Sequence, residues 1–205
     1  MTAVKICGLT RAKDVALACA LGARYVGFNF AESSPRRVSP EAARALADAV
    51  PAGVLKVGVF RSESAADIDR AVVLGRLDLV QLHRALTRED LDRSPVPVIA
   101  VARVASEGDR APDPSLLARC HAILLDSSEG RGQPLDPRLV RPERWPVPVF
   151  IAGGLDADSV GPAIRSLRPA AVDVATGAES SPGIKDRDKL ARLFDAVREA
   201  DREAG

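Results

Sequence analysis

Short apolar runs alternate with helix-like segments along the whole chain of 205 residues, at a spacing of about 25 residues. The runs are continuous rather than strictly alternating in polarity, which is the pattern of strands buried on both faces. Strand followed by helix, repeated end to end, requires a parallel sheet that is either covered on both sides or closed on itself. The predicted strands are residues 3–7, 25–30, 54–60, 78–82, 96–101 and 122–125, then the runs Val149 to Leu155 and Val172 to Gly177. Eight such units predict an α/β fold, a single-domain (β/α)8 TIM barrel over residues 1–205, since no linker rich in Pro, Gly and Ser splits the chain. An open doubly wound sheet is the alternative, but the first βα turn lacks the G-x-G-x-x-G sequence of that fold.

Helix signals agree with the strand pattern. In residues 11–21, Val15, Ala18, Cys19 and Gly22 recur at three- and four-residue spacing, and Asp14 suits the positive end of the helix dipole. Ser39 reads as an N-cap with Pro40 at the first helical position, Ser62 or Ser64 caps the next helix, and Thr87 the one after. Further helices are predicted at 115–119, weakly at 137–142, at 157–167 and at 186–200.

Composition narrows the partners. With 29 basic and 28 acidic residues the net charge is +1, and only 3% of residues are aromatic. Neither bulk attraction to nucleic acid or membrane nor a stacking platform for single strands is expected. Branched aliphatics must fill the core, as barrel interiors favour. Cys7, Cys19 and Cys120 are too few and too scattered for a disulfide framework. No signal-peptide pattern precedes Val4 and no run approaches a membrane span, so a cytoplasmic protein is expected.

The last two strand-like runs carry the clearest functional signal. Both stop at glycine, at Gly153-Gly154 and at Gly177, one helix apart. The loops after strands 7 and 8 of such barrels form a recurring phosphate site built from backbone N–H groups. Other strand ends present Cys7, Asn29, His83 and Asp126 at the same mouth. Cys7 is a candidate proton-transfer residue; Lys5 shares its strand parity and would favour the thiolate. Read alone it is more simply a small buried apolar side chain. Asp126 would serve as a general acid if burial raised its pKa, or it is a loop aspartate. Arg36, in the loop after strand 2, suits bidentate binding of a carboxylate, whereas Arg37 reads as a solvated loop charge. His83 is a base or a ligand. No paired spacing such as C-x-x-C or H-x-x-x-H supports a metal site. Asp173 lies inside strand 8, where a charge needs a partner; Lys5 or an arginine is expected to supply it.

Taken together these residues resemble the phosphoribosylanthranilate isomerase family. The resemblance rests on Lys5-Ile-Cys-Gly-Leu-Thr-Arg11, Gly27-Phe-Asn-Phe30, Ser34-Pro-Arg-Arg-Val-Ser-Pro40, Val57-Gly-Val-Phe60 and Val80-Gln-Leu-His83. It continues through Leu124-Leu-Asp126, Ile151-Ala-Gly-Gly-Leu155, Val172-Asp-Val174 and Ser181-Pro-Gly-Ile-Lys-Asp186, in the family's order. It implies a cofactor-free, metal-free rearrangement of N-(5′-phosphoribosyl)anthranilate to 1-(2-carboxyphenylamino)-1-deoxyribulose 5-phosphate, a step of tryptophan biosynthesis. By the same resemblance Asp126 is the general acid that opens the ribose ring and Cys7 the base that takes the C2′ proton. Arg36 would hold the anthranilate carboxylate, His83 would contact substrate, and Gly153, Gly154 and Gly177 would bind phosphate. A monomer or homodimer is implied, with the phosphosugar substrate as partner and no nucleic acid or membrane. Departures from the family pattern are Arg84 after the strand-4 histidine, the loop Glu129 to Asp136, and Ala175-Thr176-Gly177-Ala178-Glu179 after strand 8. The competing readings are another phosphosugar barrel enzyme, whose metal or Lys/Glu residue sets are not seen, and a barrel that only binds a phosphorylated ligand. A bifunctional paralogue is disfavoured because Cys7 stands where those enzymes carry an aspartate.

Overall fold

The computed structural model describes residues 1–104, 112–127 and 145–204. Eight parallel strands close into one barrel: β1 Ala3–Ile6, β2 Tyr25–Asn29, β3 Leu55–Phe60, β4 Leu79–Leu82, β5 Val98–Arg103, β6 Ala122–Asp126, β7 Val149–Ala152 and β8 Ala171–Val174. The pairing of β1 with β8, from Ala3 opposite Ala171 to Ile6 opposite Val174, closes the ring and rules out an open sheet. The helices are α1 Ala12–Leu21, α2 Pro40–Ala47, α3 Ala65–Gly75, α4 Arg88–Arg93, α5 Pro114–Leu117, α6 Val160–Leu167 and α7 Arg187–Ala204. A two-stranded antiparallel hairpin, β9 Glu179–Ser181 and β10 Ile184–Lys185, stands between β8 and α7.

Strand parity divides the core in two. Outward-facing Ile6, Val26, Phe28, Val80, Ile123, Ile151 and Val172 pack against the helices. Inward-facing Tyr25, Val57, Leu79, Ile99, Leu124 and Phe150 fill the barrel. Each strand alternates faces with period two, so one register choice fixes every inward residue. Helix starts are set as their cap chemistry dictates. Ser39 accepts from the Ala42 N–H, Ser64 from that of Asp67, and Thr87 forms a capping box with Asp90. The last helix buries Leu190, Leu193, Phe194 and Val197, and its Asp201 accepts from the Thr2 N–H and hydroxyl at 2.7 and 2.8 Å.

Two element starts and one whole element differ most from expectation. β5 begins at Val98, not Val96, because Pro97 has no N–H to donate and contributes only its carbonyl, to Val80. α6 begins at Val160, not Ala157: Asp156 Oδ1 accepts from the N–H groups of Asp158 and Ser159 and holds those residues in a turn. The hairpin after β8 has no counterpart among the predicted elements. The predicted helix at 137–142 and the loop from Glu129 to Asp136 lie outside the described residues.

Candidate active site

The inward parity that fills the lower barrel with apolar groups delivers polar ones near its C-terminal mouth. Along β1 the inward series is Ala3, Lys5, Cys7; along β4 it is Leu79, Gln81, His83; along β6, Ala122, Leu124, Asp126; along β8, Ala171, Asp173, Ala175. These ends line a single cleft that contains Cys7, Asn29, Arg36, His83, Asp126, Gly153, Gly154 and Gly177. Every residue singled out as a site candidate therefore reaches one cavity.

The turns after β7 and β8 are shaped by two kinds of glycine. Gly153 and Gly154 after β7 have φ of 113° and 60°, backbone that other residues rarely adopt. Gly177 sits in a one-turn 3-10 helix, Thr176–Ala178, pressed against the β7 loop. A Cβ there would lie 2.0 Å from the Leu155 carbonyl oxygen, so only glycine lets the two turns meet.

Cys7 is packed into place by another glycine. A Cβ on Gly27 of β2 would stand 2.9 Å from Cys7 Sγ. Below Cys7, the fully buried Lys5 donates to Asp173 Oδ2 at 2.9 Å and also reaches the thiol. This is the partner expected for Asp173. Lys5 acts on the thiol in the expected direction but is outweighed. Burial pushes the Cys7 thiol up, Asp173 adds to the rise, and the ammonium groups of Lys5 and Lys185 only partly offset it. The net effect holds the Cys7 thiol pKa above its ordinary value.

Opposite this group, Asp126 is buried at the end of β6. His83 interacts with it electrostatically, yet burial dominates and holds the imidazole pKa down to about 4. His83 is thus neutral near pH 7, and its Nε2 lies 2.7 Å from the Gln81 amide nitrogen. A neutral ring accepting that N–H carries its own proton on Nδ1, an assignment inferred from the bonding. Among the described residues, Gln81 Oε1 and Asp173 Oδ1 are buried without a hydrogen-bond partner, and both residues line the cleft.

Arg36 crosses the end of β1 because Gly8 leaves room: a Cβ there would lie 2.3 Å from Arg36 Cδ. Its Nε and Nη2 donate to the Glu179 carboxylate at 2.7 to 3.1 Å, and Nη2 also contacts Thr176 Oγ1 at 3.3 Å. The guanidinium is therefore clamped by its Nε–Nη2 edge, and Nη1 makes no hydrogen bond among the described residues. Glu179 was missed from sequence because it lies 143 positions from Arg36. Asp14, in the first turn of α1 as expected, also accepts from Arg11 Nε and Nη2 and from the Lys185 N–H, tying α1 to the hairpin. Gln81 was also missed, although its parity with His83 would have pointed it inward.

Among the described residues no three His, Cys, Asp or Glu side chains are grouped to hold a metal, and no helix is long and apolar enough to cross a membrane.

Known proteins bear on this geometry. The family model described as N-(5'phosphoribosyl)anthranilate (PRA) isomerase matches residues 4–196. The N-(5'-phosphoribosyl)anthranilate isomerase of Thiobacillus denitrificans is 40% identical over 196 residues, covering 93% of this chain and 95% of its own. The crystal structure of phosphoribosyl anthranilate isomerase from Thermotoga maritima superposes with a TM-score of 0.89 at 33% identity, over 97% of this chain and 100% of the other. A phosphoribosyl anthranilate isomerase solved with reduced 1-(o-carboxyphenylamino)-1-deoxyribulose 5-phosphate has a TM-score of 0.85 at 33% identity, with the same coverage. With this match over nearly its whole length, the chain belongs to the N-(5'-phosphoribosyl)anthranilate isomerase family.

Proposed function

We propose that this protein isomerises N-(5′-phosphoribosyl)anthranilate to 1-(2-carboxyphenylamino)-1-deoxyribulose 5-phosphate, the aminoaldose-to-aminoketose step of tryptophan biosynthesis. The observation that carries the assignment of roles is the convergence of a buried carboxyl group, Asp126, and a thiol, Cys7, in one cleft that ends in the paired glycine turns. The backbone at Gly153, Gly154 and Gly177 takes the phosphate and fixes the sugar between the two groups. Asp126 gives a proton to the ribose ring oxygen; the C1′–O bond breaks and a protonated Schiff base forms. Cys7 then removes the C2′ proton, and the resulting enolamine tautomerises to the ketone. Each proton transfer contributes roughly two to four powers of ten in rate.

The raised thiol pKa fits this order of events. Ring opening places a cationic iminium next to Cys7, and that charge joins Lys5 and Lys185 in favouring the thiolate; the thiol gives up its own proton to solvent in the cleft before it takes the C2′ proton. Arg36 meets the anthranilate carboxylate with the Nη1 side that Glu179 leaves open. Neutral His83, steadied by Gln81, lines the wall as a hydrogen-bonding surface. The reaction is internal to one molecule and needs no cofactor or metal. With net charge +1 and no helix among the described residues that could cross a membrane, the reading is a cytoplasmic enzyme whose partner is the phosphosugar, as a monomer or homodimer.

The test is the fall of substrate fluorescence with freshly made phosphoribosylanthranilate and purified protein. Turnover is expected without added metal or cofactor. Saturable binding of a product analogue with no turnover would replace the enzyme by a ligand-binding barrel.

A further inference from the structure

The segment Ser181-Pro-Gly-Ile-Lys-Asp186 does not line the cleft, and the reaction as described uses it only through the charge of Lys185. Its lysine is nonetheless directed into the protein: the Lys185 side chain is fully buried. An ammonium in that position is tolerated only if its donors are met. Here all three are met, by the Cys7 carbonyl at 2.7 Å, the Ala175 carbonyl at 3.0 Å and Glu179 Oε1 at 2.9 Å.

These three acceptors belong to three parts of the site. Cys7 carries the thiol. Ala175 leads into the 3-10 turn whose Gly177 abuts the β7 loop. Glu179 clamps Arg36. The last ladder bond between β1 and β8 runs from the Cys7 N–H to the Val174 carbonyl. One residue further on, both strands have left the ladder, and the Lys185 ammonium bridges the two carbonyls that follow. The hairpin does not need this bridge to stay docked. Its backbone is already held by Asp14 at the Lys185 N–H and by Lys189 at the Glu179 carbonyl.

We propose that Lys185 is a positioning residue of the isomerisation: its ammonium sets the thiol of Cys7 against the phosphate turn and, through Glu179, against Arg36. The proposal rests on the reading of Cys7 as the base. Lysine suits the task because a compact ammonium can converge on three acceptors, whereas the planar fork of arginine cannot. The charge acts in the same direction as the geometry. Cys7 is faced by Lys5 from β1, Asp173 from β8, Arg36 from the loop after β2, and Lys185 with Glu179 from the hairpin; Lys185 is one of the groups that hold the thiol down against burial.

The experiment compares full-length Lys185→Met, Lys189→Met and Cys7→Ser with the parent at a temperature where all are folded. Lys185→Met is expected to lose about 10- to 100-fold in kcat, the scale of a small misplacement of reacting groups, and to raise KM several-fold through the phosphate turn. Alkylation of Cys7 by iodoacetamide, followed by mass spectrometry as a function of pH, is expected to shift its midpoint upward. Lys189→Met, which loosens the same hairpin without touching Cys7 or Ala175, is expected to leave kcat, KM and the midpoint at parental values. If Lys185→Met lowers only the melting temperature and leaves kcat, KM and the midpoint unchanged, the proposal is overturned. Should that variant not accumulate as folded protein, Lys185→Arg carries the test: kcat falls while the midpoint stays, because charge is kept and convergence lost. Parental kcat and KM in Lys185→Arg would then overturn the proposal. Cys7→Ser separates the two readings. Normal turnover there removes the base assignment, and the proposal with it. An inactive Cys7→Ser beside an unimpaired Lys185→Met removes the positioning role alone.

Discussion

The lower and upper halves of this barrel are built from the same alternation but filled with opposite chemistry. Below, inward positions hold Tyr25, Val57, Leu79, Ile99 and Phe150. Above, the equivalent positions hold Lys5, Cys7, Gln81, Asp126 and Asp173. The lower half gains stability with every buried apolar side chain, about 1.5–3 kcal/mol for a large one. The upper half buries charges whose attraction barely offsets their desolvation. The contrast separates what holds the fold from what was put there for chemistry.

The first way to break this contrast is to treat both halves alike. Phe150→Ala, in the lower half, is expected to cost about 3–5 kcal/mol and to leave the kcat of the folded fraction near normal. Lys5→Met, in the upper half, is expected to cost a similar amount, about 3–5 kcal/mol, because it strands Asp173 without its partner. The double change Lys5→Met with Asp173→Leu is then expected to regain most of that loss while turnover stays low, since the cation beneath Cys7 is gone. Denaturant unfolding of the three variants checks the ordering. A double variant no more stable than Lys5→Met would show that the upper half is held by its charges after all.

A smaller effect is expected at the meeting of the two turns. Gly177→Ala must push the Leu155 carbonyl aside, at a strain of about 1–3 kcal/mol. KM for phosphoribosylanthranilate and the Ki for inorganic phosphate should both rise, with a lesser change in kcat. An unaltered Ki would move the phosphate elsewhere.

The mildest expected effect concerns His83. Its folded-state pKa, about 4, lies below the ordinary 6.5, so between those values the unfolded chain binds more protons than the native one. Stability conferred by this site is complete above pH 6.5 and is lost as pH falls toward 4. His83→Gln should flatten that slope of stability against pH, and a proton NMR titration should place the His83 midpoint near 4. A midpoint near 6.5 would contradict the buried, neutral ring.

Much of this was readable in sequence because it is local. Ser39 and Thr87 announce helix starts within three residues, the pair Ser62 and Ser64 narrows a third that the structure assigns to Ser64, and strand parity predicts that Lys5 and Cys7 share a face. The glycines at 153, 154 and 177 mark the turn, although the reason for Gly177 is a contact with Leu155 that only folding creates. What escaped is non-local. The hairpin strands are too short to show a pattern, and their anchors lie far away in sequence, Arg36 for Glu179 and Asp14 for Lys185. The state of the Cys7 thiol also escaped, because a neighbouring lysine is visible in sequence and the depth of burial is not.

The account turns on Cys7 and Asp126 acting as a pair on one substrate. Steady-state kcat for Cys7→Ser and Asp126→Asn, alongside the Kd of a reduced product analogue, tests that most directly. Each variant is expected to lose about two to four powers of ten in kcat with the analogue still bound near the parental Kd. Either variant turning over at the parental rate would contradict the assignment.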